Sequence, residues 1–214
     1  MGTKHQVHNL IILDESGSMR SIKTTIIEGF NEIVQTVKGI EKEFPEQEHF
    51  ISLVTFNGLG HKILHFNEPV SQLESIDETG YRPKASTPLY DAIGFSFAKL
   101  RQVVENLTEY NVLVTILTDG EENASKEYTG SAIKNLIEEL KLNRWTFTYI
   151  GADHDVDKFA ASISITSTMT FQKNEADIKN MFSKERSSRY GYSQNIREKK
   201  ETNNDFYNNE NSKK

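Results

Sequence analysis

Apolar positions along this chain recur in two alternating rhythms, and that alternation predicts the architecture. Val7 to Leu13 ends with consecutive apolar residues, as a strand does when both faces of a parallel sheet are covered. Ile22, Ile26, Ile27, Phe30, Ile33, Val34, Val37 and Ile40 then follow helical spacing, with Ser21 placed to cap. His49 to Asn57 reads as a second strand, and "HKILHFNEPVSQL" as a third with a turn at Asn67-Glu68-Pro69. Only a short loop joins these two strands, so they should pair antiparallel.

A polar stretch leads to a helix over about Leu89 to Leu107, with Leu89, Ile93, Phe97, Leu100, Val104 and Leu107 on one face. "NVLVTILTDGEEN" then repeats the opening design, an apolar run that stops on Asp119 and Gly120. A helix follows around Ile133, Leu136, Ile137 and Leu140, then the strand "RWTFTYIG", where Trp145, Phe147 and Tyr149 alternate as on a half-buried strand. A short helix near Val156 to Ile163, the strand "STMTFQ" and a last helix capped by Asn174, with Ile178, Met181 and Phe182 inward, complete the pattern. Helices between successive strands imply right-handed crossovers. The expectation is an α/β fold: a doubly wound, Rossmann-like, mostly parallel six-stranded sheet with one antiparallel edge strand and helices on both faces.

Composition adds a boundary. The chain has 214 residues, enough for one sizeable domain. After Ser183 aliphatic residues nearly vanish and Asn, Ser, Lys and Glu dominate, a composition that buries too little to offset its ordering entropy. Residues 5–183 therefore read as the domain and 184–214 as a disordered tail. The competing reading is a segment ordered by a partner through Tyr190, Tyr192, Phe206 and Tyr207. No internal repeat is present.

Charge and cysteine count narrow the function. From Lys184 onward eight Lys or Arg face five Asp or Glu, so of the total of −6 the tail carries +3 and the rest −9. An acidic domain repels nucleic acid and anionic membrane and attracts cations. Without cysteine, thiolate zinc and cysteine nucleophiles are excluded. The N-terminal residues lack the apolar core of a signal peptide, and no apolar run is long enough to span a bilayer, so a cytoplasmic protein is expected. The initial Met-Gly does not make a myristoylation signal, because Gln6 stands where Ser or Thr is needed.

The chemistry gathers at the strand ends. In an open doubly wound sheet ligands sit at the carboxyl ends of the strands where strand order reverses. With order 3-2-1-4-5-6, Asp14 and Asp119 end neighbouring strands at that point. Gly17 allows a tight turn from which Ser16 and Ser18 aim hydroxyls at the place Asp14 points, and Thr87 in "KASTPLYDA" approaches from the same end. Two carboxylates and three hydroxyls are hard oxygen donors, which suit Mg²⁺ or Mn²⁺ rather than zinc or copper. Each has a plainer reading alone: a helix cap for the aspartate and serines, a helix start for Thr87 before Pro88, a turn for Asp119-Gly120.

Asp14-x-Ser16-x-Ser18, the Thr of "STPLYDA" and the Asp of "LTDGEEN" together resemble the metal-ion-dependent adhesion site of a von Willebrand factor type A (VWA) domain of the stand-alone bacterial kind. The likeness covers roughly Val7 to Phe182. It implies that Asp14, Ser16 and Ser18 bind the ion directly or through water, that Thr87 binds directly in the ligand-competent state, and that Asp119 acts through water. It also implies that a partner's Glu or Asp completes the shell. Asp91 and Glu121 are candidate acceptors that orient ligands or waters. Such domains work beside AAA+ ATPases, kinases or phosphatases, or stress-response proteins, so a protein partner and a scaffolding role, without catalysis, are expected.

Other candidates are weaker. Asp153, His154, Asp155 and Asp157 precede a short helix and most simply supply its caps and first-turn acids. His61 and His65 lie roughly 13 Å apart along an extended strand and cannot share an ion. His8 and His49 read as ordinary residues. A metal-dependent hydrolase or phosphotransferase is the rival function. Yet an aspartyl-phosphate phosphatase needs an acid where Ser16 stands, and neither G-x-S-x-G at these serines nor a P-loop occurs.

Overall fold

The computed structural model describes residues 4–202 and 206–207. Strands β1 (His5–Asp14), β2 (Gln47–Asn57), β3 (Gly60–Pro69), β4 (Tyr110–Thr118), β5 (Trp145–Gly151) and β6 (Ser167–Thr170) form one sheet in the order β3-β2-β1-β4-β5-β6. All neighbours are parallel except β2 and β3. Helix α1 (Lys23–Glu43) follows β1, α2 (Leu89–Val104) follows β3, and α3 (Gly130–Lys141), α4 (Val156–Ser162) and α5 (Glu175–Arg197) follow β4, β5 and β6. This is the predicted doubly wound sheet with its antiparallel edge, and β1 and β4 meet where the order reverses.

Strand alternation sends side chains to two separate cores. Leu10, Ile12, Val114, Ile116, Trp145 and Phe147 pack with α2, α3 and α4 on one face, where Phe97 lies 5.8 Å from Trp145 and 5.4 Å from Phe147 between ring centroids. Ile11, Leu13, Ile26, Phe30, Phe182 and their neighbours pack with α1 and α5 on the other. There Gly29 lets the two helices approach closely, since a Cβ on it would fall 2.0 Å from the Phe182 ring.

The segment after Ser183 departs from the expectation. Helix α5 continues to Arg197 as part of the domain, and Glu185, Arg189, Tyr192, Phe206 and Tyr207 are buried. The helical stripe runs through Ile178, Phe182, Glu185, Arg189, Tyr192 and Ile196, so two charges occupy core positions. They pair with each other and with polar groups around them, although Arg189 Nε is buried without a hydrogen-bond partner among the described residues. Arg189 donates to Asn9 Oδ1 at 2.7 Å, to Thr115 Oγ1 at 2.7 Å and to Glu185 Oε1 at 2.8 Å. Glu185 also accepts from Thr115 at 3.1 Å and from the Tyr207 hydroxyl at 2.9 Å. Thus Tyr192, Phe206 and Tyr207 do serve as anchors, but in this chain's own core. Residues 203–205 and 208–214 of the expected tail lie outside the described residues.

The same cover overturns the half-buried reading of β5. All seven of its residues are buried, because Thr146 and Thr148 face the α5 side and bond inside it, Thr146 to Thr202 O at 3.1 Å. Two boundaries also differ. Ser21 lies within a 3-10 turn, Gly17–Ile22, and makes no cap; that turn already gives the backbone of Lys23 an acceptor in Arg20 O. At Asn67, with φ 50°, the chain stays in β3 through a register irregularity rather than turning out of the sheet. Among the described residues no helix is long and apolar enough to cross a membrane.

Candidate functional site

The site is built where β1 and β4 end side by side. Asp14 is the last residue of β1 and Asp119 the first after β4, and both are almost completely buried. Asp14 Oδ1 accepts from the Ser16 amide at 2.6 Å and Oδ2 from the Thr118 hydroxyl at 2.6 Å. The Ser16 and Ser18 hydroxyls are 3.0 Å apart, and Ser18 donates to Asp119 Oδ1 at 2.6 Å. Thr87 comes from the loop before α2. Its Oγ1 lies 3.9 Å from where a Cβ on Gly120 would stand, which puts it beside the Asp119–Gly120 turn. Asp14, Ser16, Ser18, Thr87 and Asp119, distant in sequence, therefore meet at one pole of the sheet.

Burial pushes the Asp14 carboxyl up from 3.8 to about 6, against the hydrogen bonds from Thr118 and Ser16, and the charge of Asp119 adds to the rise. Two carboxylates drawn this far from water ask for positive charge. A hard divalent cation fits the donor set, which is all oxygen. Among the described residues no group of three or more His, Asp or Glu is placed to hold a metal; the oxygen donors at this pole are two carboxylates and three hydroxyls.

Of the two expected orienting acids, Asp91 is engaged elsewhere. Asp91 accepts from the backbone amides of Lys126, Glu127 and Tyr128 at 2.8 to 2.9 Å; it fastens the β4–α3 loop instead of facing Asp14. Glu121 is exposed. The side chains that hold the site's loops are others. Asn123 accepts from the Thr87 amide at 3.0 Å and returns its own amide to Thr87 O at 3.2 Å. Glu122 accepts from the Tyr90 amide at 2.9 Å and from the amides of Ala124 and Ser125. "DGEENAS" is thus a clamp on "TPLYD".

Glu15, inside the first motif, is fully buried. Its carboxylate takes Lys62 Nζ at 2.8 Å, Thr55 Oγ1 at 3.1 Å and the Arg82 amide, while its carbonyl accepts from the Lys84 amide at 2.8 Å. Gly17 N donates to Ala85 O at 3.0 Å, and the Tyr81 hydroxyl to Asp14 O at 2.6 Å. These bonds set the loop that delivers Thr87. A sequence signal for Glu15 existed only in its place between two motif residues; hydrophobic periodicity gives none.

Lys173 was also invisible from pattern. It lies between β6 and α5, and its ammonium is 3.1 Å from Asp119 Oδ2 and 2.5 Å from Asp153 Oδ2. Burial opposes its charge, but Asp153 and Asp119 outweigh that and hold its pKa above the ordinary value. Asp155 caps α4, accepting from the Lys158 amide at 3.1 Å, and Asp157 in its first turn accepts from the Thr168 hydroxyl of β6 at 2.6 Å. His154 bonds to the Tyr149 hydroxyl at 3.0 Å. His61 sits on the Phe95 ring and His65 on Glu68, with no shared site.

The family model of the von Willebrand factor type A domain matches residues 10–184. The chain belongs to that family. No functionally curated protein matches it. Among solved structures it is similar to a von Willebrand factor type A protein from Catenulispora acidiphila, at TM-score 0.60 and 16% identity over 88% of this chain and 43% of that one. It is also similar to the pilus adhesin SpaC from Lactobacillus rhamnosus GG, at TM-score 0.63 and 12% identity over 89% and 30%. A third is the vWF domain of the type V pili tip protein Mfa5 from Porphyromonas gingivalis, at 0.55 and 13% over 85% and 95%. The chain spans 43% and 64% of the first two structures it matches. At these identities the likeness concerns the fold.

Proposed function

We propose that this protein is a binding module of the VWA type that holds Mg²⁺ or Mn²⁺ at Asp14, Ser16, Ser18, Thr87 and Asp119 and uses it to capture an acidic side chain of a partner protein. VWA domains are typically protein-interaction modules. The observation that carries the metal reading is the chain of contacts from Asp14 through Ser16 and Ser18 to Asp119, with Thr87 beside it, at the reversal point of the sheet. Two aspartates only balance a divalent charge, which leaves the ion open to a further anionic ligand. A protein without catalysis, acting in the cytoplasm beside an AAA+ ATPase, a kinase or phosphatase, or a stress-response protein, is part of the same proposal.

Calorimetric titration of the full chain with Mg²⁺ and Mn²⁺ tests it. One site is expected for the wild type and none for Asp14→Ala or Asp119→Ala; a flat wild-type titration refutes the reading. Partner capture is then expected in Mg²⁺ and lost both in EDTA and with Asp14→Ala. Release of phosphate from a generic phosphoester with Mg²⁺, abolished by Asp14→Asn, would replace the binding module with a metal-dependent hydrolase or phosphotransferase.

A further inference from the structure

Three loops converge on one ammonium group. Asp119 arrives from the end of β4, Asp153 from the β5–α4 loop and Lys173 from the connection between β6 and α5. The Asp119 side chain is fully buried and Asp153 is more than half exposed, so Lys173, about one quarter exposed, bridges an inner and an outer carboxylate. The backbone behind it is held by Asn174, which caps α5 through the Asp177 amide at 2.9 Å.

We propose that Lys173 is an internal competitor for the cation: its ammonium neutralises Asp119, and a divalent ion takes that carboxylate only as Lys173 gives it up. This rests on the metal reading above and adds to it the residue that sets the ion's affinity. The physical ground is that a buried carboxylate requires a compensating charge, and two cations this close to one carboxylate repel each other. Asp153 makes the exchange feasible, because Lys173 keeps an ion pair at the exposed carboxylate when it leaves the buried one. The device also keeps the pole stable when divalent ions are scarce.

The test compares Mg²⁺ titrations of the full-length wild type, Lys173→Met, Lys173→Gln and Lys173→Arg, with Lys84→Met as the control. Lys84 is exposed on the neighbouring loop and bonds to Glu15 O through its backbone amide, so Lys84→Met removes one positive charge from the same pole and leaves that bond in place. Lys173→Met and Lys173→Gln are expected to bind Mg²⁺ at least tenfold more tightly than wild type, Lys173→Arg to stay within a few-fold, and Lys84→Met to change little. In EDTA, Lys173→Met is expected to melt at a lower temperature than wild type, with the order reversed at saturating Mg²⁺. Equal or weaker Mg²⁺ binding by both neutral variants, while the wild type binds, overturns the role of Lys173 and leaves the metal site standing. Equal tightening by Lys84→Met also overturns it, since the effect would then be one of general charge. Binding by neither wild type nor variants, with Mg²⁺ or Mn²⁺, removes both readings together.

Discussion

On the α2, α3 and α4 side of the sheet, Trp145, Phe147 and Phe97 stack into an apolar layer, whereas the α1 and α5 side has Asn9, Thr115, Thr146 and Thr148 at comparable depth. The first face is closed by dispersion and the hydrophobic effect, which tolerate modest changes of shape. The second also holds a buried ion pair, which depends on the hydrogen-bond partners around it. The contrast teaches that "buried" and "apolar" are separate properties of this protein. Its last described helix combines apolar packing through Ile178, Met181 and Phe182 with buried polar contacts through Glu185 and Arg189.

The largest effect that would break this comparison comes from Arg189. Arg189→Met strands the Glu185 carboxylate without its cation, and the expected loss is about 3–5 kcal/mol, read as a drop in the urea midpoint. Adding Glu185→Leu removes the orphaned charge, and the double variant is expected to recover most of that loss. If the double variant is as unstable as the single one, the ion pair is not what distinguishes the two faces.

Next comes acid. One histidine is buried on each face: His8, beside Asn67 and the Phe50 ring, and His49 on the α1 and α5 side. Burial is the main cause that lowers His8 to about 4 and His49 to about 3; Asn67 opposes it for His8, while the charge of Arg189 adds to it for His49. A histidine whose folded pKa is depressed contributes stability that is whole above about 6.5 and disappears as pH falls through the folded value. Stability should therefore fall between pH 6.5 and 4 by on the order of 3 kcal/mol for each histidine, partly offset by Asp14, whose raised pKa works in the opposite direction, and the melting temperature should drop with it. His49→Asn should flatten the curve more than His8→Asn.

Glycines give a smaller and sharper comparison. A Cβ at Gly29 meets the Phe182 ring at 2.0 Å, and one at Gly94 meets the Tyr128 ring at 2.5 Å. Gly29→Ala forces α1 from α5 and should cost about 1–3 kcal/mol by overpacking. Tyr128 lies on a loop and is half-buried, so Gly94→Ala should cost less. Smallest is Ile12→Val in the apolar layer, at about 1 kcal/mol, with Arg189 contacts untouched. Thermal denaturation of the three variants side by side ranks them.

Much of this was legible in the chain. The antiparallel edge followed from the short loop between β2 and β3, and the meeting of Asp14, Ser16, Ser18, Thr87 and Asp119 from apolar runs that stop on aspartate, once the order 3-2-1-4-5-6 is taken for the sheet. Asp91 was misread because a first-turn acid reads alike whether it faces an ion or, as here, the amides of residues 126–128. Glu15, Asn123 and Lys173 escaped because their roles lie in which distant loop they touch.

By itself the sequence determined the layers of the sheet and which strand ends carry the oxygen donors, since both depend on periodicity, which is a local property. Only the tertiary structure decided that Glu185 and Arg189 belong to the core and that Lys173 reaches Asp119. A charge declares itself buried or solvated through its partners, and those partners, Asn9, Thr115 and Tyr207 for one pair and Asp119 and Asp153 for Lys173, come from other parts of the chain.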